Sequence, residues 1–205
     1  FAEHKSLYDE LRLLNTQGQE LIRVQRDGRV PQLLPPRLLF EPTLWPGADP
    51  LVYQSERVYI SPLLLEPSAG RTDALPIIHF ASPVFDAAHM QTGMVLVNYR
   101  VQRLLERIRA FSSQAAGHLY LVNDQGYWIL GPEPEQEWGW LIADRAKQRF
   151  SLSHAQAWSR IQGQEQTQFR TDQGLYTALK LSPAALVNPG SLSDKVTAAK
   201  DVWTL

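Results

Sequence analysis

Three segments rich in β-branched and aromatic residues carry the side chains best suited to bind a small molecule. Successive side chains of a β-strand point to opposite faces, so Arg57, Tyr59 and Ser61 are predicted to share one face of the first segment. His79 lies in the second segment and Asn98 in the third. If four of these side chains converge, they form a polar cluster able to hold a neutral or anionic metabolite by hydrogen bonds. The four are Tyr59, Ser61, His79 and Asn98. The alternative is that Tyr59 and His79 only pack in the core.

Catalytic and metal-binding patterns are absent from the sequence. The chain contains no cysteine, which excludes thiol catalysis and thiolate metal sites. It also lacks the nucleophile elbow, the phosphate-binding loop, the dinucleotide fingerprint and the paired-histidine metal motif. The histidines are spread along the chain without ligand spacing: His4, His79, His89, His118 and His154. We therefore predict no catalytic residue, metal or cofactor in this chain, with a hydrolase that uses dispersed carboxylates as the alternative.

Length and charge narrow the range of partners. With 205 residues, the chain is long enough for one large domain or two small ones. The formal net charge of −1 provides no general attraction to nucleic acid. No stretch approaches the roughly 18–20 consecutive apolar residues of a membrane-spanning helix. The first residues look like the inside of a helix and not like a signal peptide, which is typical of a segment excised from a longer protein.

Hydrophobic spacing predicts an α+β fold. Helical spacing at the start indicates the end of a helix over residues 1–10. The pattern then changes to alternating strands, with an Asn-x-x-Gly turn at Asn15–Gly18. A second unit repeats that turn at Asn123–Gly126, and an amphipathic helix over Arg100–Phe111 joins the two units. Every readable connection is a hairpin or a short crossover, so both sheets are predicted to be antiparallel.

Local patterns in the second unit are weaker. A short helix is predicted over Ser153–Ile161, with Ser151 or Ser153 as its N-cap. The acidic run from Glu133 to Glu137 is typical of a solvated loop. The last twenty residues are rich in serine, alanine and proline and show little pattern.

A proline-rich segment over residues 31–50 is predicted to cover the first sheet as a mobile loop. It contains six prolines, which lack the N–H group that a strand ladder needs. Phe40 and Trp45 would pin this loop through buried aromatic area, and Trp45 would then contact the ligand. We expect Trp45→Ala to weaken ligand binding more than it lowers global stability.

Four segments carry a family pattern in their order and spacing. They are Gly18–Val24, Val58–Leu63, the pair Pro76–Asp86 and Gly93–Tyr99, and Leu119–Leu130 together with Glu137–Trp140. In this arrangement the sequence resembles the extracytoplasmic double Cache sensor domains, which are tandem PAS-like modules of bacterial histidine kinases and diguanylate cyclases.

The chain departs from this family pattern where relatives contact their ligand. Leu34–Pro50 replaces a ligand-facing helix, and His79 stands at a strand position that is commonly arginine. Asn98 occupies the position where similar domains place an aspartate that holds a ligand amine. An amide keeps the hydrogen bonding but removes the charge, which argues against a strict amino-acid sensor.

The resemblance implies a function and an architecture. The N-terminal helix would end at residue 10, followed by a membrane-distal Cache module over residues 11–115 and a membrane-proximal one over 116–205. The distal module would bind a small metabolite, and the resulting conformational change would be relayed across the membrane to a kinase or cyclase outside this segment. Such a domain is periplasmic, is flanked by transmembrane helices, and can form a homodimer through its N-terminal helix. A soluble hydrolase and a periplasmic protein-interaction module remain as alternatives.

Overall fold

A computed structural model describes seven stretches of the chain: residues 8–27, 30–36, 58–67, 74–112, 117–181, 196–198 and 203–205. Internal contacts divide the chain into two compact units. Unit 1 comprises Phe1–Arg103 and Gly190–Ala199, and unit 2 comprises Leu104–Pro189 and Lys200–Leu205.

The described residues form thirteen strands and three α-helices. The strands are β1 (Tyr8–Asn15), β2 (Glu20–Asp27), β3 (Val30–Leu34), β4 (Val58–Ile60), β5 (Leu64–Pro67), β6 (Ala74–Phe85), β7 (Gln91–Arg100), β8 (Leu121–Asn123), β9 (Trp128–Leu130), β10 (Gln166–Thr171), β11 (Gly174–Leu181), β12 (Val196–Ala198) and β13 (Trp203–Thr204). The helices are α1 (Gln102–Ser112), α2 (Phe150–Ser153) and α3 (Ala155–Ile161). Single 3-10 turns lie at Pro134–Gln136 and Ala143–Arg145.

Unit 1 contains an eight-stranded sheet in the order β12-β4-β6-β7-β1-β2-β3, with β5 also paired to β6. The pairs are antiparallel except β12 with β4, which is parallel. The expectation of a purely antiparallel sheet was therefore wrong at this edge, because the returning chain end adds its strand in the same direction. Strand β1 begins at Tyr8. The predicted helix thus does not extend over residues 8–10, and residues 1–7 lie outside the described part.

The hairpin turns form through one local mechanism. Asn15 Oδ1 accepts the main-chain N–H groups of Gln17 and Gln19, at 2.9 and 2.8 Å. Asn123 Oδ1 accepts the equivalent N–H groups in unit 2, at 3.1 and 2.8 Å. The turn glycines, Gly18 and Gly126, have φ of +78° and +77°, a conformation that side chains disfavour. The turns predicted at both positions are confirmed.

The proline-rich segment begins as a strand and not as an irregular cover. Val30–Leu34 pairs with β2 over its whole length. Strand β3 ends the sheet order of unit 1, and an edge strand tolerates Pro31 because one side of it needs no ladder hydrogen bonds. Residues 37–50, with Phe40 and Trp45, lie outside the described part, so the predicted covering loop stays a prediction.

Unit 2 contains a five-stranded sheet in the order β10-β11-β13-β8-β9. The weakly patterned chain end supplies β13, which pairs with β11 and β8 and so completes this sheet. Helices α2 and α3 replace the single predicted helix. The serine caps were wrong: the N-caps are Arg149 and His154, and neither makes a side-chain capping bond.

The core of unit 2 is aromatic, and it contains a buried carboxylate. Trp128 and Phe150 pack edge to face at 5.3 Å within a buried cluster. Glu137 is only 3% exposed, so the prediction of a solvated acidic loop was wrong at this residue. Its Oε1 accepts from Arg109 Nη2 at 2.5 Å and from the Gly131 N–H at 3.1 Å. None of the described helices is long and apolar enough to cross a membrane.

Candidate ligand-binding face of unit 1

His79 and Asn98 form a buried hydrogen-bonded pair at the centre of the first sheet. They stand directly opposite each other on β6 and β7, so their side chains share one face. His79 Nδ1 lies 2.7 Å from Asn98 Oδ1, and the two residues are 3% and 2% exposed. An amide oxygen only accepts hydrogen bonds, so Nδ1 of His79 is the donor. The ring is thereby held in one orientation.

Ser61 lies beside this pair but its hydroxyl serves the main chain. The strand segment 58–67 is interrupted between β4 and β5, where Pro62 lacks an N–H group. Ser61 Oγ accepts the main-chain N–H of His79 at 2.9 Å and donates to the Pro62 carbonyl at 2.8 Å. The hydroxyl therefore takes a ladder position and fixes the backbone that carries His79.

Tyr59 joins the apolar part of the same face. It stands opposite Ala81, two residues from His79 on β6, and packs in a buried cluster with Leu14, Met94 and Leu96. Burial raises the pKa of Tyr59, so its phenol stays protonated and can donate a hydrogen bond. Of the residues predicted for the site, the structure thus brings His79 and Asn98 into contact and places Ser61 and Tyr59 next to them. Arg57 and Trp45 lie outside the described part.

Charged residues that the sequence analysis missed lie on the same face. Glu10 on β1 stands opposite Asn98, and Arg12 stands opposite Leu96 on β7 and Arg23 on β2. All three charged residues are at most 7% exposed. Arg12 Nε donates to Glu10 Oε1 at 2.8 Å, so this pair is neutralised within the sheet.

Arg23 is less completely satisfied than Arg12. Its Nε lies 3.5 Å from Glu20 Oε1, close enough for an ion pair. Neither Nε nor Nη1 has a hydrogen-bond partner among the described residues, although both atoms are buried. A buried guanidinium N–H without an acceptor is costly, and an anion that accepted it would recover that cost.

The polar face, defined as Glu10, Arg12, Arg23, His79 and Asn98, combines cationic and neutral donors with one paired carboxylate. The alternation of Glu10 and Arg12 with Leu11 and Leu13 is visible in the sequence, but the predicted helix over residues 1–10 concealed it. Among the described residues, no group of histidine, aspartate and glutamate side chains is arranged to hold a metal ion. The chemistry available on the polar face is hydrogen bonding and charge pairing.

Comparison with solved structures identifies the fold. The extracellular domain of histidine kinase vpHK1S-Z8 superposes with a TM-score of 0.73 at 17% identity, over 99% of this chain and 68% of that one. A domain of a sensory box/GGDEF family protein from Vibrio parahaemolyticus gives 0.71 at 17% identity, over 99% and 72%. The periplasmic sensory domain of the Campylobacter jejuni chemoreceptor Tlp1 gives 0.54 at 11% identity, over 97% and 70%. These likenesses confirm the α+β sensor-domain fold.

Sequence comparison identifies the family. No curated protein matches the chain. The family described as bacterial histidine kinase, sensor domain, matches residues 51–185, about two thirds of the sequence. This segment includes the strands that carry Tyr59, His79 and Asn98 as well as most of unit 2. The resemblance to sensor domains is confirmed, and the chain belongs to the bacterial histidine kinase sensor-domain family.

Proposed function

We propose that this chain is the periplasmic part of a membrane-bound signal transducer, and that unit 1 binds a small anionic metabolite on the polar face. In this assignment unit 1 is the membrane-distal Cache module and unit 2 the membrane-proximal one. The ligand acts by its different affinity for two arrangements of the domain, and the helices carry the shift across the membrane. The chain itself performs no chemistry, and a kinase or cyclase outside it gives the output.

The observation that carries this proposal is the buried guanidinium of Arg23. Arg23 Nη1 has no hydrogen-bond partner among the described residues, and it lies on the same face as the His79–Asn98 pair. A carboxylate accepts from a guanidinium and from neutral donors at once, whereas an ammonium group would meet the incompletely satisfied guanidinium of Arg23 unfavourably. Glu10, the carboxylate of the polar face, already pairs with Arg12, and the neutral amide of Asn98 provides no negative charge for an amine. An anion without an amine fits this set best.

The remaining predicted site residues complete the pocket in this proposal. Arg57 adds a third guanidinium beside the two of the polar face, and Trp45 covers the ligand from the proline-rich segment. Tyr59 donates its phenolic proton, and Ser61 holds the His79 backbone in place. Transmembrane helices flank the domain in the full-length protein, and the N-terminal helix supports a homodimer.

The test is a thermal-shift titration of the 205-residue chain with acetate, succinate and inorganic phosphate, each against chloride at equal ionic strength. An anion present at about 100 times its Kd should add roughly 2.7 kcal/mol of apparent stability. A thermal shift with succinate or acetate but not with phosphate supports a carboxylate ligand. A thermal shift with phosphate alone indicates that the site binds phosphorylated compounds. Arg23→Met should abolish the shift, while Arg107→Met, at an exposed position of α1, should retain it.

Four outcomes overturn the proposal. If the thermal shift survives Arg23→Met, the anion does not bind on the polar face. If no anion produces a thermal shift, the ligand is not an anion of this kind. Turnover of a substrate by the isolated chain supports a hydrolase instead. Capture of a periplasmic protein whose binding is lost with Arg23→Met supports the interaction module.

A further inference from the structure

Unit 2 contains a cavity that is independent of the polar face. Its volume is about 640 Å³, within the range of roughly 300–1,000 Å³ that is usual for ligand pockets. Strands β8, β10, β11 and β13, together with helices α2 and α3, all contribute to its walls. All of its lining residues belong to unit 2. We call this cavity the ring pocket after the rings that line it: His118, Tyr120, Phe150, His154 and Tyr176.

These rings are held in fixed orientations by one another. Phe150 and His154 stack with centroids 4.8 Å apart and planes 7° from parallel. His118 and Tyr120 are also stacked, at 6.1 Å and 13°. Tyr176 meets His154 edge to face at 6.3 Å. Rings that already pack against neighbours lose little freedom when a ligand arrives, so the walls are preorganised for another flat ring.

The described side chains that line the ring pocket include no carboxylate, ammonium or guanidinium group, since none of these residues is aspartate, glutamate, lysine or arginine. Burial lowers the pKa of His154, so its imidazole is neutral at pH 7. Burial, and secondarily the nearby Tyr176, raises the pKa of Tyr120, so its phenol keeps its proton. The other polar side chains available to a ligand are uncharged, and they include Gln166 and Gln173.

We propose that the ring pocket is a second ligand site, and that it binds an uncharged aromatic or heteroaromatic molecule. A charged ligand would surrender its hydration without meeting an aspartate, glutamate, lysine or arginine side chain among the described residues that line the pocket, which is unfavourable. A purely aliphatic ligand would leave the phenols and amides without partners. A flat ring with one polar atom stacks on the aromatic walls and accepts or donates a hydrogen bond. The sensor domain then has two inputs of different chemistry, one on each unit.

Isothermal titration calorimetry of the 205-residue chain with indole and with indole-3-acetate tests this proposal. The two probes share one ring system, and indole-3-acetate adds a carboxymethyl group that carries one negative charge. We expect saturable 1:1 binding of indole, at least about tenfold tighter than any binding of indole-3-acetate to the ring pocket. Tyr176→Ala removes one wall and should weaken indole binding by at least about tenfold. Thermal unfolding of that variant verifies that it is folded.

A variant that adds a positive charge gives a test that does not depend on removing a core ring. Gln166 lines the pocket and is exposed, so Gln166→Lys should leave the fold intact and shift preference toward indole-3-acetate. Gln168, on the same strand and also exposed, is not in the lining, so Gln168→Lys is the matched control. The control should retain the preference for indole.

Several outcomes overturn the proposal. They are no saturable binding of indole, equal binding of both probes, indole binding that survives Tyr176→Ala, and an unchanged preference in Gln166→Lys. Because Arg23→Met affects only unit 1, it should leave indole binding unchanged. Failure of the ring pocket and failure of the anion site on the polar face are therefore separate results.

Discussion

The polar face of unit 1 and the ring pocket of unit 2 differ first in charge. The polar face buries two arginines and a glutamate beside a histidine–asparagine pair. The ring pocket is walled by stacked rings and neutral amides. The polar face suits an anion and the ring pocket suits an uncharged ring. The reason is that a buried charge needs a countercharge, which aromatic walls do not supply. Under the two proposals, one sensor domain responds to two chemically unrelated molecules, one on each unit.

Glu137 of unit 2 and Arg23 of unit 1 differ also in how completely their buried charges are satisfied. In unit 2, Glu137 receives hydrogen bonds from Arg109 and from the main chain of Gly131. In unit 1, Arg23 leaves buried N–H groups without an acceptor among the described residues. A buried charge with its partners in place is costly to remove, whereas an incompletely satisfied one can gain a partner by binding an anion. Four measurements can break or sharpen this contrast.

The largest effect is expected from Gly93→Ala in the sheet beneath the polar face. An added Cβ would lie 2.2 Å from the Leu14 carbonyl oxygen on the neighbouring strand, so β1 and β7 must separate. We expect a loss of about 3 kcal/mol in the free energy of unfolding, at the upper end for overpacking. Urea denaturation measures it. Gly117→Ala, where nothing lies within 4 Å of the added atom, should change stability by less than about 0.5 kcal/mol. If Gly93→Ala leaves the free energy of unfolding unchanged, β1 and β7 separate easily and the polar face is not rigidly held.

Glu137→Gln tests whether the buried charge of unit 2 is structural. The amide keeps the shape but removes the charge that Arg109 and the Gly131 N–H contact, so we expect a loss of about 2 kcal/mol. The partial exposure of Arg109, 41% for its side chain, keeps the loss below that of a fully buried pair. Glu133→Gln, at an exposed position, is the control and should be neutral. Equal effects of both variants would contradict the assignment.

Arg23→Met should separate binding from stability in unit 1. Methionine removes the guanidinium and with it an ion-pair partner of Glu20 at 3.5 Å, so we expect a loss of roughly 1 kcal/mol without ligand, smaller than the loss in Glu137→Gln. Anion binding should be lost in the same variant. A loss of stability as large as that of Glu137→Gln would mean that Arg23 is a structural ion-pair residue, and the contrast between the units would fail.

The smallest effect is the pH dependence due to His154. Burial lowers its pKa in the folded state, so the unfolded chain binds the proton more readily. The free energy of unfolding should therefore fall as pH decreases from about 6.5 to the lowered pKa, and the contribution of His154 should be level outside that window. His154→Gln should flatten this slope in urea denaturation at several pH values. An identical slope in both proteins would show that another group titrates.

Local chemistry explains which elements could be predicted from the sequence. The turns at Asn15–Gly18 and Asn123–Gly126 depend on an asparagine side chain and a glycine within the same few residues. The helix α1 and the long hairpin of β6 and β7 follow from spacing that is equally local. Alternation assigned His79 and Asn98 each to one face of its own strand, but it left open whether the two faces coincide. Ladder pairing then fixed their contact at 2.7 Å.

Only the tertiary structure decided the features that join distant parts of the chain. Residues 196–198 pair with β4, and residues 203–204 enter between β8 and β11, although their own sequence has little pattern. The burial of Glu10, Arg12 and Arg23 depends on the neighbours of β1 in the sheet, and the ring pocket depends on strands and helices that meet only after folding. The sequence alone determined turns, strand faces and the main helix, because these are set by a few adjacent residues. Burial and cavities are set by long-range packing, which a single local pattern does not encode.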